Sequence, residues 1–212
     1  MPEPFILPLF PLEMVLFPQI PIPFHIFEPR YLQMISWCLE NHAEFGVIFS
    51  QGGRLSTTGT TAYVENVLQE FPDGKRDILC IGKRRFQVGK LLDRKPYLEA
   101  EVIFIEDQNE DTAVLTTLRQ KGEGLLNRYS RLIQKPIEAH WYQEASFEEF
   151  SFILSEMGQY TTREQQRLLE MVSTTLRLKR ALQTLEARVT RHELGVKLVN
   201  ELGPGDYDHI LN

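Results

Sequence analysis

An α+β fold is what the sequence predicts: a small barrel of short strands holding one helix, followed by a bundle of helices with one long member. Up to about residue 106, apolar residues alternate with polar ones or come in short runs, the pattern of half-buried and buried strands. After an acidic polar stretch at about 107–111 the spacing of apolar residues becomes three or four and does not return to two. Turn residues separate the segments of the first half, and helix-capping residues head those of the second.

Residues 5–27 carry prolines at positions 8, 11, 18, 21 and 23, which forbid a helix and confine strands to edges or short pieces. From Pro29, a residue suited to a first helical position, Tyr31, Met34, Ile35, Cys38 and Leu39 recur on one face and predict a helix over about 29–41. Phe45–Phe49 fits a short buried strand, and the Gly/Ser/Thr-rich stretch 51–61 reads as a loop or a mobile β-turn region. Strands of about 62–71 and 77–82 flank Pro72-Asp73-Gly74-Lys75, in which proline presets φ and glycine accepts a positive φ, so a hairpin is expected. Alternation predicts two further strands, at 84–92 and 97–106.

Beyond residue 108, where the domain boundary is expected (1–108 against 109–212, packed together), Leu115, Leu118, Leu125, Tyr129 and Leu132 mark a first helix. Gly122 and Gly124 weaken it by roughly 1 kcal/mol each. Ser146 with Glu149 makes a capping box for a second helix that Gly158 is placed to end. Thr161 with Glu164 opens a third, whose apolar residues from Leu168 to Val189 predict a single helix of close to 30 residues.

Composition narrows function by exclusion. Hydrophobic residues at 42% and charged residues at 25% are ordinary for a globular chain. A net charge of −6 argues against a general nucleic-acid binder, although residues 163–197 carry eight basic and four acidic residues and leave the remainder at −10. The apolar beginning lacks a basic flank and is broken by prolines, so neither a secretory signal nor a membrane helix is expected, and a cytoplasmic setting follows, an organelle being the other option. Cys38 and Cys80 form no CxxC pair and read as buried reduced thiols.

Each near match to a catalytic motif fails a specific requirement. Gly82-Lys83-Arg84 and Gly89-Lys90-Leu91 are not phosphate loops, and His192-Glu193 lacks a second histidine one turn on. Histidines 25, 42, 140, 192 and 209 stand singly, and no GxSxG elbow occurs. No enzyme activity, metal or cofactor is expected. Lys83, Arg84, Arg85, Lys90, Arg94 and Lys95 are the one basic cluster with a nucleic-acid reading. A strand would turn Arg84 away from Lys83 and Arg85.

Leu7-Pro8-Leu9-Phe10-Pro11-Leu12, then Val15-Leu16-Phe17-Pro18, then Pro23-Phe24-His25-Ile26-Phe27-Glu28-Pro29-Arg30-Tyr31 resemble the opening of the Lon protease amino-terminal domain family. Gly46-Val47, Gly82-Lys83-Arg84-Arg85-Phe86, Pro96 to Val102, and Gln166-Arg167-Leu168-Leu169-Glu170 followed by Arg177-Leu178 are similar to its later motifs, so the resemblance runs from about residue 5 to 190. It implies a PUA-like pseudo-barrel followed by a helical bundle, without the family's ATPase and serine-lysine peptidase modules. It also implies a protein-binding role: an adaptor or holdase for exposed apolar or unstructured segments, with polypeptide substrates or partner proteins, a protease complex among them, as ligands. The expected surfaces are a groove between barrel and bundle or the Pro-rich apolar edge, with Phe24, His25, Phe27, Glu28, Arg30 and Tyr31 as candidate binding residues. Pro18, Phe24, Phe27 and Tyr31 also fit a core or turn role, and Glu28 could cap the helix or meet a basic partner. An RNA-binding PUA-like protein is the alternative, and an enzyme of unrecognised type the third.

Overall fold

The computed structural model describes residues 5–135, 137 and 140–202. The chain divides into two compact units, Met1–Glu106 with Thr161–Val172, and Asp107–Tyr160 with Ser173–Asn212. The expected division at 108 therefore needs one correction, because residues 161–172 belong with the strands rather than with the other helices.

The first unit is a sheet closed on itself. Its strands are β1 (Phe5–Leu12), β2 (Pro21–Ile26), β3 (Phe45–Gln51), β4 (Arg54–Glu70), β5 (Arg76–Leu92) and β6 (Glu99–Phe104), in the order β2-β5-β4-β3-β1-β6 with β5 also paired to β6. Closure depends on the length of β5. Its first half pairs with β2 from Arg76 to Ile81, and its second half pairs with β6 from Phe86 to Leu92. Leu7, Leu9, Ile48, Phe86, Ala100 and Val102 fill the interior. Phe86 fits there because Gly46 and Gly59 face it, and a Cβ on either would stand 2.6 Å from its ring.

Two sequence expectations in this unit are corrected. The stretch 51–61 holds a β-turn, but one of only two residues, Gly52 and Gly53 with φ of 58° and 76°, and the rest of it is strand of the β3–β4 hairpin rather than loop. The segments 77–82 and 84–92 are one strand of 17 residues, interrupted by a bulge where Lys83 and Arg84 together oppose Thr61. Beyond the bulge Phe86 faces the interior, while Arg85, on the opposite face, is buried against the helix that covers this side of the strand. The Pro72–Lys75 turn is as expected: Phe71 N–H donates to the Lys75 carbonyl at 2.9 Å and Gly74 has φ of 84°.

Helix α1 spans Pro29–Asn41 and buries Tyr31, Met34, Ile35 and Cys38, as the periodicity predicts. Glu28 precedes it in extended conformation without capping it by its side chain. The helix that returns to this unit is labelled α5 below.

In the second unit, α2 (Thr112–Leu132), α3 (His140–Gln143), α4 (Phe147–Glu156) and α6 (Thr174–Leu202) form the helical part, with α5 (Thr162–Glu170) lying in the first unit. Both capping boxes are present, Ser146 with Glu149 and Thr161 with Glu164. Gly122 is explained by packing, since a Cβ there would stand 2.9 Å from the ring of Phe150. The third helix is not continuous. Met171 is extended, and the Ser173 hydroxyl accepts from Leu176 N–H to start α6 afresh, giving a 29-residue helix displaced toward the C-terminus from the predicted one.

Candidate functional site

Among the described residues, edge strand β2 pairs only with β5. Pro21 and Pro23 have no N–H to offer, which blunts this edge against an added strand, so recognition here must come from side chains. The six candidate residues on and after β2 separate into two groups. Phe24 is half-buried with its ring 5.5 Å from Phe10, and Tyr31 is buried with its ring 4.5 Å from the same phenylalanine. Burial raises the Tyr31 hydroxyl above its ordinary pKa, an effect opposed by Arg30 and supported by Glu28.

The others face outward. Phe27 is 57% exposed, against the core role its spacing allows. The ring of His25 stacks on Phe27 at 5.9 Å and meets Phe71, which leads into the β4–β5 turn, edge-on at 5.8 Å. His25 Nδ1 lies 2.6 Å from Asp77 Oδ1 on the neighbouring strand, fixing the imidazole between the two phenyl rings. Arg30 donates to Glu28 Oε2 through Nε at 3.0 Å and Nη2 at 2.7 Å while its guanidinium covers the Tyr31 ring at 4.5 Å. Glu28 thus meets a basic partner at the surface. The result is an aromatic cluster of exposed His25 and Phe27 with half-buried Phe71, beside which His25, Glu28 and Arg30 are each paired.

A second concavity was missed by sequence reasoning. Phe49 of β3 opposes three residues of β4, Ser56, Thr57 and Thr58, because the register slips between Ile48↔Gly59 and Ser50↔Leu55. The carboxamide of Gln166 on α5 fills this bulge, the two Nε2 protons shared among Ser56 Oγ at 2.6 Å, Glu170 Oε1 at 2.8 Å and the Thr58 carbonyl at 3.1 Å. Beside it opens a groove of about 710 Å³, lined by the β3–β4 hairpin and α5, with Arg54 and Arg163 among its residues. Reading 51–61 as a loop and 161–190 as part of a separate helical half hid it.

The basic cluster does not gather. Arg85 is 1% exposed and donates from Nη1 to the carbonyls of Leu169 at 2.9 Å and Met171 at 2.7 Å, so it ends α5 and cannot reach a phosphate. Arg84 lies 3.7 Å above the Phe104 ring and 3.5 Å from Glu44, while Arg94 and Lys95 both pair with Glu99. Lys83 is half-buried and Lys90 exposed. Cys38 and Cys80 are free and buried, and burial pushes both thiols up to about 12. Among the described residues, no group of three or more His, Cys, Asp or Glu could hold a metal ion, and no helix is long and apolar enough to cross a membrane.

A model of the ATP-dependent protease La (LON) substrate-binding domain matches residues 6–187. The chain is 32% identical over 114 residues to a Lon protease of Parabacteroides distasonis, covering 50% of this chain and 14% of that protein. It is 23% identical over 210 residues to a Lon protease of Dictyoglomus thermophilum, covering 94% and 26% respectively. The chain therefore spans about a quarter or less of these relatives. Among solved structures, the Lon N-terminal domain protein from Xanthomonas campestris superposes with a TM-score of 0.62 at 24% identity, covering 84% of this chain and 98% of that one. The N-terminal domain of a Mycobacterium avium complex Lon protease gives 0.69 at 15% identity, covering 86% and 98%. At these identities the likeness concerns the fold.

Proposed function

Because the chain belongs to the ATP-dependent protease La (LON) substrate-binding domain family, we propose that it is a non-catalytic protein-binding module, an adaptor or holdase for unfolded polypeptides and exposed apolar segments. The observation that carries this is the cluster of exposed His25 and Phe27 with half-buried Phe71 on a strand edge blunted by prolines. A rigid aromatic pair can bury much apolar area at little entropic cost, which suits contact with apolar side chains of varied sequence. Glu28 and Arg30 give that surface a polar rim of paired charges. Polypeptide substrates or partner proteins, a protease complex among them, are the ligands of this reading. Two unpaired buried thiols favour a reducing compartment, the cytoplasm, as its setting.

The test is dilution of urea-unfolded citrate synthase into the purified protein, followed by light scattering and co-sedimentation. The wild type is expected to slow aggregation and to hold the client, and Phe27→Asp, at the exposed member of the cluster, to lose most of that effect without a change in melting temperature. A wild-type protein that neither slows aggregation nor retains client refutes the proposal.

A further inference from the structure

The groove between the β3–β4 hairpin and α5 has a composition that the aromatic edge lacks. Arg54 follows the two-glycine turn and Arg163 sits in the first turn of α5. Both are exposed, and among the described residues neither has a hydrogen-bonding or ion-pair partner. The acidic residue lining the groove, Glu170, is engaged by the Gln166 amide. Two arginines against one glutamate leave the groove with one net positive charge in a chain of −6. Phe49 and Leu55 supply apolar lining. The floor is one donor short: Gln166 is 8% exposed, and its Oε1 is buried with no hydrogen-bond partner among the described residues. The flipped amide does not cure this, since Nε2 already faces the Thr58 carbonyl and the Glu170 carboxylate, both acceptors. A buried acceptor without a donor is costly, which singles this amide out.

A ligand that satisfies all of these groups carries one negative charge, an adjacent N–H and an apolar side chain. We propose that this groove binds the carboxyl-terminal residues of a polypeptide, the free carboxylate held by Arg54 and Arg163 and the last side chain resting on Phe49 and Leu55. A small turn of the Gln166 amide lets its oxygen accept the terminal peptide N–H. Guanidinium pairs suit a carboxylate because their donors match its two oxygens. The inference rests on the protein-binding reading and adds to it a preference for chain ends.

The probe is a fluorescein-labelled decapeptide of glycine, serine and alanine ending in leucine, measured by fluorescence anisotropy as the free acid and as the C-terminal amide. The free acid is expected to bind about tenfold or more tightly than the amide, with affinity falling as salt rises. Arg54→Gln and Arg163→Gln should each weaken the free acid toward the level of the amide and leave the amide unchanged; both side chains are exposed, and unchanged melting curves verify the fold. Equal binding of acid and amide, or arginine variants that bind the free acid as the wild type does, overturns the proposal. So does an amidated peptide with an internal glutamate binding as well as the free acid, which would make this a general carboxylate site. Inorganic phosphate displacing the peptide at lower concentration than the unlabelled free acid overturns it in favour of a phosphate site. Client protection measured on the same preparations separates the two ideas: a client held without discrimination between chain ends removes this inference alone, and no client held removes both.

Discussion

Arg85 of β5 donates from Nη1 to the carbonyl of Met171 at 2.7 Å, across 86 residues of sequence, and to that of Leu169 at 2.9 Å. The guanidinium therefore closes the C-terminal end of α5, where carbonyls have no partner within the helix and a cation is favoured by the dipole. Arg85→Met leaves those carbonyls buried and unsatisfied and is expected to destabilise the fold by about 2–3 kcal/mol. Both bonds come from one nitrogen, so lysine, whose ammonium also carries several donors, should restore part of this. The urea midpoint of each variant measures the loss; a midpoint within error of the wild type would show that the buried guanidinium contributes nothing net.

How much of this was legible in the sequence varies with the range of the interaction. Local chemistry could be read: Pro29 and the Tyr31–Cys38 face set α1, Pro72–Lys75 sets a turn, and the two capping boxes set α4 and α5. Pairings between distant segments could not. Ser56, Thr57 and Thr58 look like loop residues until Gln166, 108 residues from Thr58, supplies the donor that lets Thr58 be buried. Arg85 looks like one member of a basic run until α5 covers its side of the strand. The break at Met171–Ser173 had a local sign in Ser173, whose hydroxyl caps α6, but the unbroken apolar spacing masked it. At the candidate edge, one residue lies elsewhere than its spacing suggests. Phe27 has the spacing of a core residue, yet it stands outside because β2 ends one residue before it, at Ile26.

Two glycines should respond with opposite sign to the same substitution. A Cβ at Gly59 would lie 2.5 Å from the backbone carbonyl oxygen of Val47 and 2.6 Å from Phe86 Cζ. The carbonyl belongs to a paired strand and cannot move away, so Gly59→Ala is expected to cost about 1–3 kcal/mol or more. Gly124 lies exposed within α2 with nothing within 4 Å of the added carbon. Gly124→Ala should stabilise by up to about 1 kcal/mol through helix propensity. Thermal unfolding of the pair checks both, and a destabilised Gly124→Ala would contradict the open surroundings.

In the second unit, Arg177 is fully buried on α6, bonded to the carboxylate of Asp107 and to Ser151 Oγ at 2.6 Å, with its guanidinium 3.9 Å from the Phe152 ring centroid. Removing the cation alone leaves a carboxylate that is itself 7% exposed, so Arg177→Met should cost about 3–5 kcal/mol. Changing both partners, Arg177→Met with Asp107→Asn, should recover a large part, because the penalty lies in the uncompensated charge. A double-mutant cycle in urea reads the coupling; strictly additive losses would mean that the pair is not a unit.

The two buried thiols give the fold a limit at alkaline pH. Burial pushes both Cys38 and Cys80 up to about 12; Lys95 eases the first slightly, and the nearby Cys38 adds to the second. Thiols in the unfolded chain ionise near pH 8.5. Above that pH the unfolded state sheds protons that the folded state keeps, so stability is fully present below about pH 8.5 and falls as pH rises toward 12. Buried Tyr31 and Tyr142, both raised by desolvation, act in the same direction above about pH 10. The urea midpoint should accordingly be lower at pH 10 than at pH 7, and Cys80→Ala should flatten that dependence. In the native protein at pH 8, a thiol-specific disulfide reagent should label both cysteines only as fast as the fold opens, whereas in urea both should react at once. Rapid labelling of either thiol without denaturant would contradict the burial from which the alkaline loss is derived.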